Sequence, residues 1–233
     1  RLARLTPEAR RAWLLSLPTE VRVRRLPFLW EFWARPNQLW RPGEEFITLY
    51  QAGRGFGKTR VGAEAVRWVA ENPERCGFGR PPLAMNAPVI ALVGRTTHDA
   101  ISTMIWGSSG IMAISPPWFR PRFKISEQLL IWPNGMRAHY FTAEKPETLR
   151  GPNIGFVWAD EVAFFKQPRG ERVGALENIE QALRKSHGRA VYTTTPLPTA
   201  DMFGLHERQM PAKGRAQVQV PAGPDESTAP TET

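Results

Sequence analysis

Apolar runs and polar gaps alternate along this chain in the manner of an α/β protein. Residues 46–50 are an apolar, β-rich run, and residues 89–94 are a continuous apolar stretch of strand length, as a buried parallel strand reads. Between them Val61, Ala65, Val66 and Val69 recur at helical spacing across residues 60–71, predicting a helix with one face on the sheet. Residues 154–159 form another apolar run, Leu176, Ile179 and Leu183 mark a helix over 175–185, and residues 189–196 predict a strand ending in hydroxyls. Residues 122–142 predict an antiparallel excursion around the turn signal Pro133-Asn134-Gly135, placed at the sheet edge.

The flanks are simpler. Thr6 caps a predicted helix over residues 6–16, with Pro7 at its first position and Glu8 in its first turn. A basic segment (19–25) and an aromatic-rich one (28–39) follow. Residues 72–88 are Pro/Gly-rich and expected to be an exposed loop. Residues 98–106 predict a helix, and His98 beside Asp99 reads as its capped start rather than an acid–base pair. From Pro211 the pattern fades, and residues 211–233 are expected to be a disordered polar tail. The reading is therefore α/β: a mostly parallel central sheet with helices on both faces and an antiparallel edge hairpin. Residues 1–27 are a helical lead-in, and residues 28–210 are the main domain.

Candidate chemistry sits at strand ends. The strand at 46–50 feeds Gln51-Ala52-Gly53-Arg54-Gly55-Phe56-Gly57-Lys58-Thr59, and a helix follows. Strand, glycine-rich loop and helix in that order are the context of a phosphate-binding P-loop. Gly53, Gly55 and Gly57 allow the backbone N–H groups to turn inward, Lys58 is placed to reach β- and γ-phosphates, and the Thr59 hydroxyl to ligate Mg²⁺. The pattern normally has glycine where this chain has Ala52. The run at 154–159 ends in Asp160-Glu161, the Walker B pattern, in which Asp160 holds Mg²⁺ and Glu161 orients and deprotonates water. Thr194 or Thr195, at the tip of the 189–196 strand, fits a γ-phosphate sensor. Gln38 is a candidate for reading the adenine edge, with Trp33 or Arg35 near the ring, although the aromatics here also suit a packing role.

The formal charge is +9 and arginine outnumbers lysine, which suits bidentate phosphate contacts and points to nucleic acid or another anionic partner. Cys76 stands alone, so no internal disulfide forms, and a reducing compartment is expected. No apolar run approaches membrane-spanning length, so no membrane partner is expected. The chain opens on Arg1 rather than Met, as a fragment or processed form would.

Trp33-Ala34-Arg35-Pro36-Asn37-Gln38, Gly53 through Glu64, Leu149-Arg150-Gly151-Pro152, Trp158-Ala159-Asp160-Glu161 and Thr193-Thr194-Thr195-Pro196 together resemble the ATPase domain of large terminase subunits from tailed phages and gene transfer agents. The resemblance covers residues 28–210. It implies a P-loop ATPase of the additional-strand type, using ATP and Mg²⁺. Such a protein assembles as a homo-oligomeric ring on a portal protein, works with a small terminase subunit, and drives double-stranded DNA into a capsid in the host cytoplasm. Arg150 matches the arginine finger that enters a neighbouring subunit's site, a group contributing about three to five orders of magnitude in rate. Arg54 matches a phosphate-contacting arginine and Thr194 the coupling motif; Arg60 falls within the same nucleotide-binding stretch. Complete large terminases also carry a nuclease domain. The acids Asp225, Glu226 and Glu232 lie in Pro/Ala/Thr sequence, so no nuclease activity is expected of this chain. A helicase-like ATPase, or a module that docks on portal or DNA with little hydrolysis, are the alternatives.

Overall fold

A computed structural model describes residues 5–43, 45–81, 83–165, 174–196 and 215–219. In chain order the elements are α1 (Pro7–Ser16), α2 (Thr19–Arg24), α3 (Trp30–Trp33), β1 (Ile47–Gln51), α4 (Lys58–Glu71), β2 (Val89–Gly94), α5 (Thr97–Asp99), α6 (Ile111–Ile114), β3 (Arg122–Lys124), β4 (Leu129–Ile131), β5 (Arg137–Thr142), β6 (Ile154–Asp160), α7 (Ala175–Ser186), β7 (Arg189–Thr194) and β8 (Arg215–Gln219). They build a sheet of order β3-β4-β5-β2-β6-β7-β1-β8. From β5 to β8 every pairing is parallel; β3–β4 and β4–β5 are antiparallel, in keeping with the expected edge excursion. An additional strand, β7, lies between the P-loop strand β1 and the acidic strand β6. That order brings the ends of β1, β7 and β6 together.

Every residue of β2 and β6 is buried, as a strand covered on both faces requires. On one face Val61, Val66 and Val69 of α4 pack with Ile90, Leu92, Phe156, Trp158 and Val191. On the other, Ile179 and Leu183 of α7 pack with Ala91, Val93, Val157, Ala159 and Tyr192. Residues 90/92 and 91/93 thus part to opposite faces, the period-2 rule of a strand. Gly62 sets how closely α4 approaches β6: a Cβ there would lie 2.0 Å from Trp158 Nε1.

Peripheral segments are anchored through backbone atoms. Arg67 on α4 donates to Phe28 O (2.7 Å) and Ile114 O (2.9 Å), tying both the aromatic lead-in and α6 to the P-loop helix. In the β4–β5 turn, Gly135 has φ of 85° and Asn134 Nδ2 donates to Ala70 O at 2.8 Å.

Three expectations are corrected. The 72–88 loop is only partly exposed: Met85 stands out in solvent, but Phe78 is buried, and Arg137 donates to the carbonyls of Met85 and Ala87. The helix expected over 98–106 begins as α5, capped by the Thr96 hydroxyl, and continues as a π-helix over Ala100–Ile105. The expected disorder of residues 211–233 fails at β8, which pairs in parallel with the free edge of β1. Edge pairing uses backbone donors and acceptors, so it needs no continuous apolar run for the sequence to show. The remainder of that tail, including Asp225, Glu226 and Glu232, lies outside the described residues.

Candidate active site

The P-loop leaves β1 at Gln51 and ends where α4 begins at Lys58. Ala52 N donates to Thr194 O (3.2 Å), extending the β1–β7 pairing by one bond. Ala52 does not have positive φ, so a methyl is accommodated where the common motif has glycine. Gly55 and Gly57 do require glycine, with φ of 79° and 85°. No side chain caps α4, which leaves its first N–H groups for the cup the loop forms.

Lys58 is buried and folded back across the loop. Its Nζ donates to Ala52 O (3.0 Å) and Gly53 O (3.2 Å) and lies 3.9 Å from Glu161 Oε1. Outside the cup, the Phe56 carbonyl accepts from Gln38 Nε2 (2.6 Å) and Arg35 Nη2 (2.8 Å), and the Arg35 guanidinium lies over the Phe56 ring. Gln38 Oε1 accepts from Arg35 N at 2.8 Å. Gln38 is therefore a tether between the turn at Pro36–Gln38 and the P-loop. Trp33 Nε1 donates to Leu26 O, which spends its polar atom on the lead-in.

At the tip of β6 the two acids have separate partners. Asp160 pairs in register with Thr193 of β7, and Thr193 Oγ1 donates to Asp160 Oδ1 at 2.5 Å. Thr193 Oγ1 also accepts from Trp158 Nε1 at 3.1 Å. Burial pushes the Asp160 carboxyl up to about 6, against the lowering effect of the Thr193 hydrogen bond. Glu161 turns off the strand with φ of 54°. Its Oε2 accepts from Thr195 N (2.9 Å) and its Oε1 from Thr195 Oγ1 (3.0 Å).

Thr194 is thereby relocated relative to the expected sensor role. Its hydroxyl accepts from Ala163 N (3.1 Å), whereas its two neighbours meet the acids. The cause is strand alternation: successive residues of β7 face opposite ways. Thr195 is the alternative sensor read from the sequence. Thr193 escapes that reading, and its signal is the combination of strand order and a period of two. Arg60 is also turned elsewhere, paired with Glu64 (Nε–Oε1 2.8 Å) and lying 5.2 Å over the Trp30 ring. Burial raises the Glu64 carboxyl despite Arg67 and Arg60 beside it. Arg54 is exposed on the loop, and Thr59 is half-buried in the first turn of α4. Arg150 is exposed, at the end of a 3-10 turn over Pro146–Arg150, with Nε donating to Asn178 Oδ1 (3.0 Å) on α7. A cavity of about 160 Å³ opens between the ends of β2 and β6, lined by Gly94, Arg95, Asp99, Asp160, Glu161 and Phe164. It lies where ligands gather in open α/β sheets.

Asp160 and Thr59 offer hard oxygen donors. Among the described residues, no group of three or more His, Cys, Asp or Glu side chains could hold a metal. That donor set fits Mg²⁺, which takes one or two protein oxygens and completes its shell with phosphate and water.

A family model described as terminase large subunit, T4likevirus-type, N-terminal, matches residues 49–228. The chain belongs to this terminase family. No curated protein matches it. Among solved structures it is similar to the large terminase of a thermophilic bacteriophage in complex with ADP, at 12% identity and TM-score 0.52, covering 82% of this chain and 43% of that one. It also matches the large terminase ATPase domain of Thermus phage P74-26, at 18% identity and TM-score 0.49, covering 70% of this chain and 64% of that one. The likeness to the ADP-bound terminase supports the additional-strand fold. This terminase chain spans under half the length of that ADP-bound protein. No helix among the described residues is long and apolar enough to cross a membrane.

Proposed function

We propose that this chain is the ATP-hydrolysing motor domain of a DNA-packaging terminase, one that moves double-stranded DNA into a procapsid in the host cytoplasm. The observation that carries the proposal is the convergence at the ends of β1, β7 and β6: Lys58 Nζ lies on the loop carbonyls and 3.9 Å from Glu161, with Asp160 one residue away. In this reading the P-loop N–H groups and Lys58 bind the phosphates of ATP. Asp160 and Thr59 hold Mg²⁺, which when bound neutralises charge on the phosphates. Glu161 exchanges Thr195 for a water aligned on the γ-phosphate. Gln38 holds the loop and has one amide hydrogen left for a base edge. Arg150, exposed and oriented by Asn178, serves the site of the next subunit in a ring. Exposed Arg54 is suited to the phosphates from the loop side. Portal protein and small terminase subunit are the expected assembly partners.

ATP turnover tests the assignment. Glu161→Ala should lose hydrolysis and keep nucleotide binding; parent-like turnover would remove Glu161 as the base. Arg150→Ala should lose activity in the assembled ring and leave nucleotide binding intact; full activity in the ring would remove the finger. DNA binding should weaken steeply with salt if arginines contact phosphates.

A second reading, a docking module with little hydrolysis of its own, is favoured by one observation. Both carboxylate oxygens of Glu161 are engaged by Thr195, and Lys58 is engaged by the loop. Turnover per subunit that rises steeply with protein concentration supports the ring motor. Low turnover independent of concentration and of added portal supports the module.

A further inference from the structure

Asp160 is the last residue of its strand, and a strand-end carboxylate turns easily, because its terminal torsion has no sharp staggered wells. Here it is held by a chain of buried donors. Trp158 Nε1–H can only donate, so Thr193 Oγ1 must accept it. The single hydroxyl proton of Thr193 then goes forward. Of its two acceptors in range, Asp160 Oδ1 is at 2.5 Å and Ala159 O at 3.3 Å, so the carboxylate receives it. Trp158 and Thr193 are both fully buried, which excludes water as a substitute donor or acceptor. The indole reaches this position because residue 62 has no side chain: a Cβ on Gly62 would lie 2.0 Å from Trp158 Nε1 and 2.1 Å from its ring. Gly62 stands one helical turn beyond Lys58 on α4. The same helix that carries the phosphate-binding lysine therefore seats the indole that directs the Thr193 proton.

We infer that Thr193 is a positioning residue for the divalent ion, with Trp158 setting the direction of its hydroxyl and Gly62 making room for the indole. By fixing one oxygen of Asp160, Thr193 fixes where the other points, so the carboxylate is oriented before nucleotide and ion arrive. This deepens the nucleotide reading above and rests on it. Partners that orient a metal-bound ligand are commonly worth about 10- to 100-fold in metal affinity. Thr193 does not touch substrate in this role, and its loss acts through Asp160 alone.

The test separates ion binding from nucleotide binding. Binding of a fluorescent, non-hydrolysable ATP analogue is measured with and without Mg²⁺, and Mn²⁺ affinity is measured by electron paramagnetic resonance in the presence of the analogue. Thr193→Val should bind the metal-free analogue within about twofold of the parent, but bind Mn²⁺ about tenfold more weakly. Thr193→Ser, which keeps the hydroxyl, should restore Mn²⁺ affinity. Trp158→Phe keeps most of the packing and loses the directing N–H, and should weaken Mn²⁺ about threefold; it provides an independent arm should the valine variant fail to fold. In an Asp160→Asn background, Thr193→Val should have no further effect on the ion. Parent-like Mn²⁺ affinity in Thr193→Val or Trp158→Phe overturns the inference, as does an undiminished effect of Thr193→Val in the Asp160→Asn background. A parent protein that binds the analogue equally with and without divalent ion would instead overturn the Mg²⁺·ATP reading, and the inference with it.

Discussion

The P-loop cup and the acidic tip lie side by side but are built from different material. The cup is backbone: glycines at φ of 79° and 85°, the uncapped start of α4, and a lysine that rests on two loop carbonyls. The tip is side chain: Asp160 and Glu161 each take a partner from the β7 end, and Trp158 supports one of those partners. A backbone cup takes its shape mainly from its own loop, with Gln38 and Arg35 tethering it from outside at the Phe56 carbonyl. A side-chain tip needs a neighbouring strand in correct order and register. The cup should therefore fail through local backbone changes, and the tip through changes on elements remote in sequence.

The largest expected effect sharpens the tip. Glu161→Gln should bind nucleotide as the parent does and lose about two to four orders of magnitude in turnover, the usual worth of a general base. Loss of both together, seen by analogue binding alongside steady-state hydrolysis, would show that Glu161 also shapes the cup.

Next comes the burial of Asp160. Its carboxyl is raised from 3.8 to about 6, so the folded chain holds this proton more tightly than the unfolded chain. Its contribution to stability is therefore full below about pH 4, and it is lost as pH rises through about 6. Asp160→Asn removes that dependence. In metal-free, nucleotide-free buffer the variant should be more stable than the parent at pH 8, by at most about 3 kcal/mol, with the gap closing towards pH 4. Chemical denaturation at a series of pH values checks this. A gap independent of pH would contradict it.

A smaller effect tests the dependence on remote elements. Gly62→Ala drives a methyl into the Trp158 indole and should destabilise the chain by about 1–3 kcal/mol, read as a lowered Tm. Because the indole directs Thr193, divalent-ion affinity should fall as well. The tether on the cup offers a smaller effect still: Gln38→Ala removes one of the two donors to the Phe56 carbonyl, leaving Arg35, and should raise KM for ATP by about three- to tenfold, with kcat little changed. Arg60→Ala should leave KM unchanged, since its guanidinium is spent on Glu64 and Trp30.

This division also explains what is legible in the sequence. The central strands, α4 and α7 can be read from periodicity, because burial on two faces writes itself as continuous apolar runs and helical spacing. Lys58, Thr59, Asp160 and Glu161 can be read because each lies at a fixed offset from a glycine or a strand end. The threonines of β7 cannot be assigned individually. Three in a row satisfy β-propensity equally, and only the register of Asp160 with Thr193 decides which hydroxyl meets which acid. Gln38 and Arg60 fall in stretches that resemble nucleotide-binding motifs, but their partners Phe56 O, Glu64 and Trp30 depend on how the aromatic lead-in docks on α4. Strand β8 is illegible because edge pairing needs backbone rather than a pattern of side chains.

The most direct test of the account is calorimetric binding of a non-hydrolysable ATP analogue with Mg²⁺ to the parent and to Lys58→Ala. Removing the buried amine that the proposal places on the phosphates should weaken binding at least about a hundredfold. Equal affinity in the two proteins would mean that the loop ending at Lys58 does not hold a triphosphate, and the motor assignment would fall.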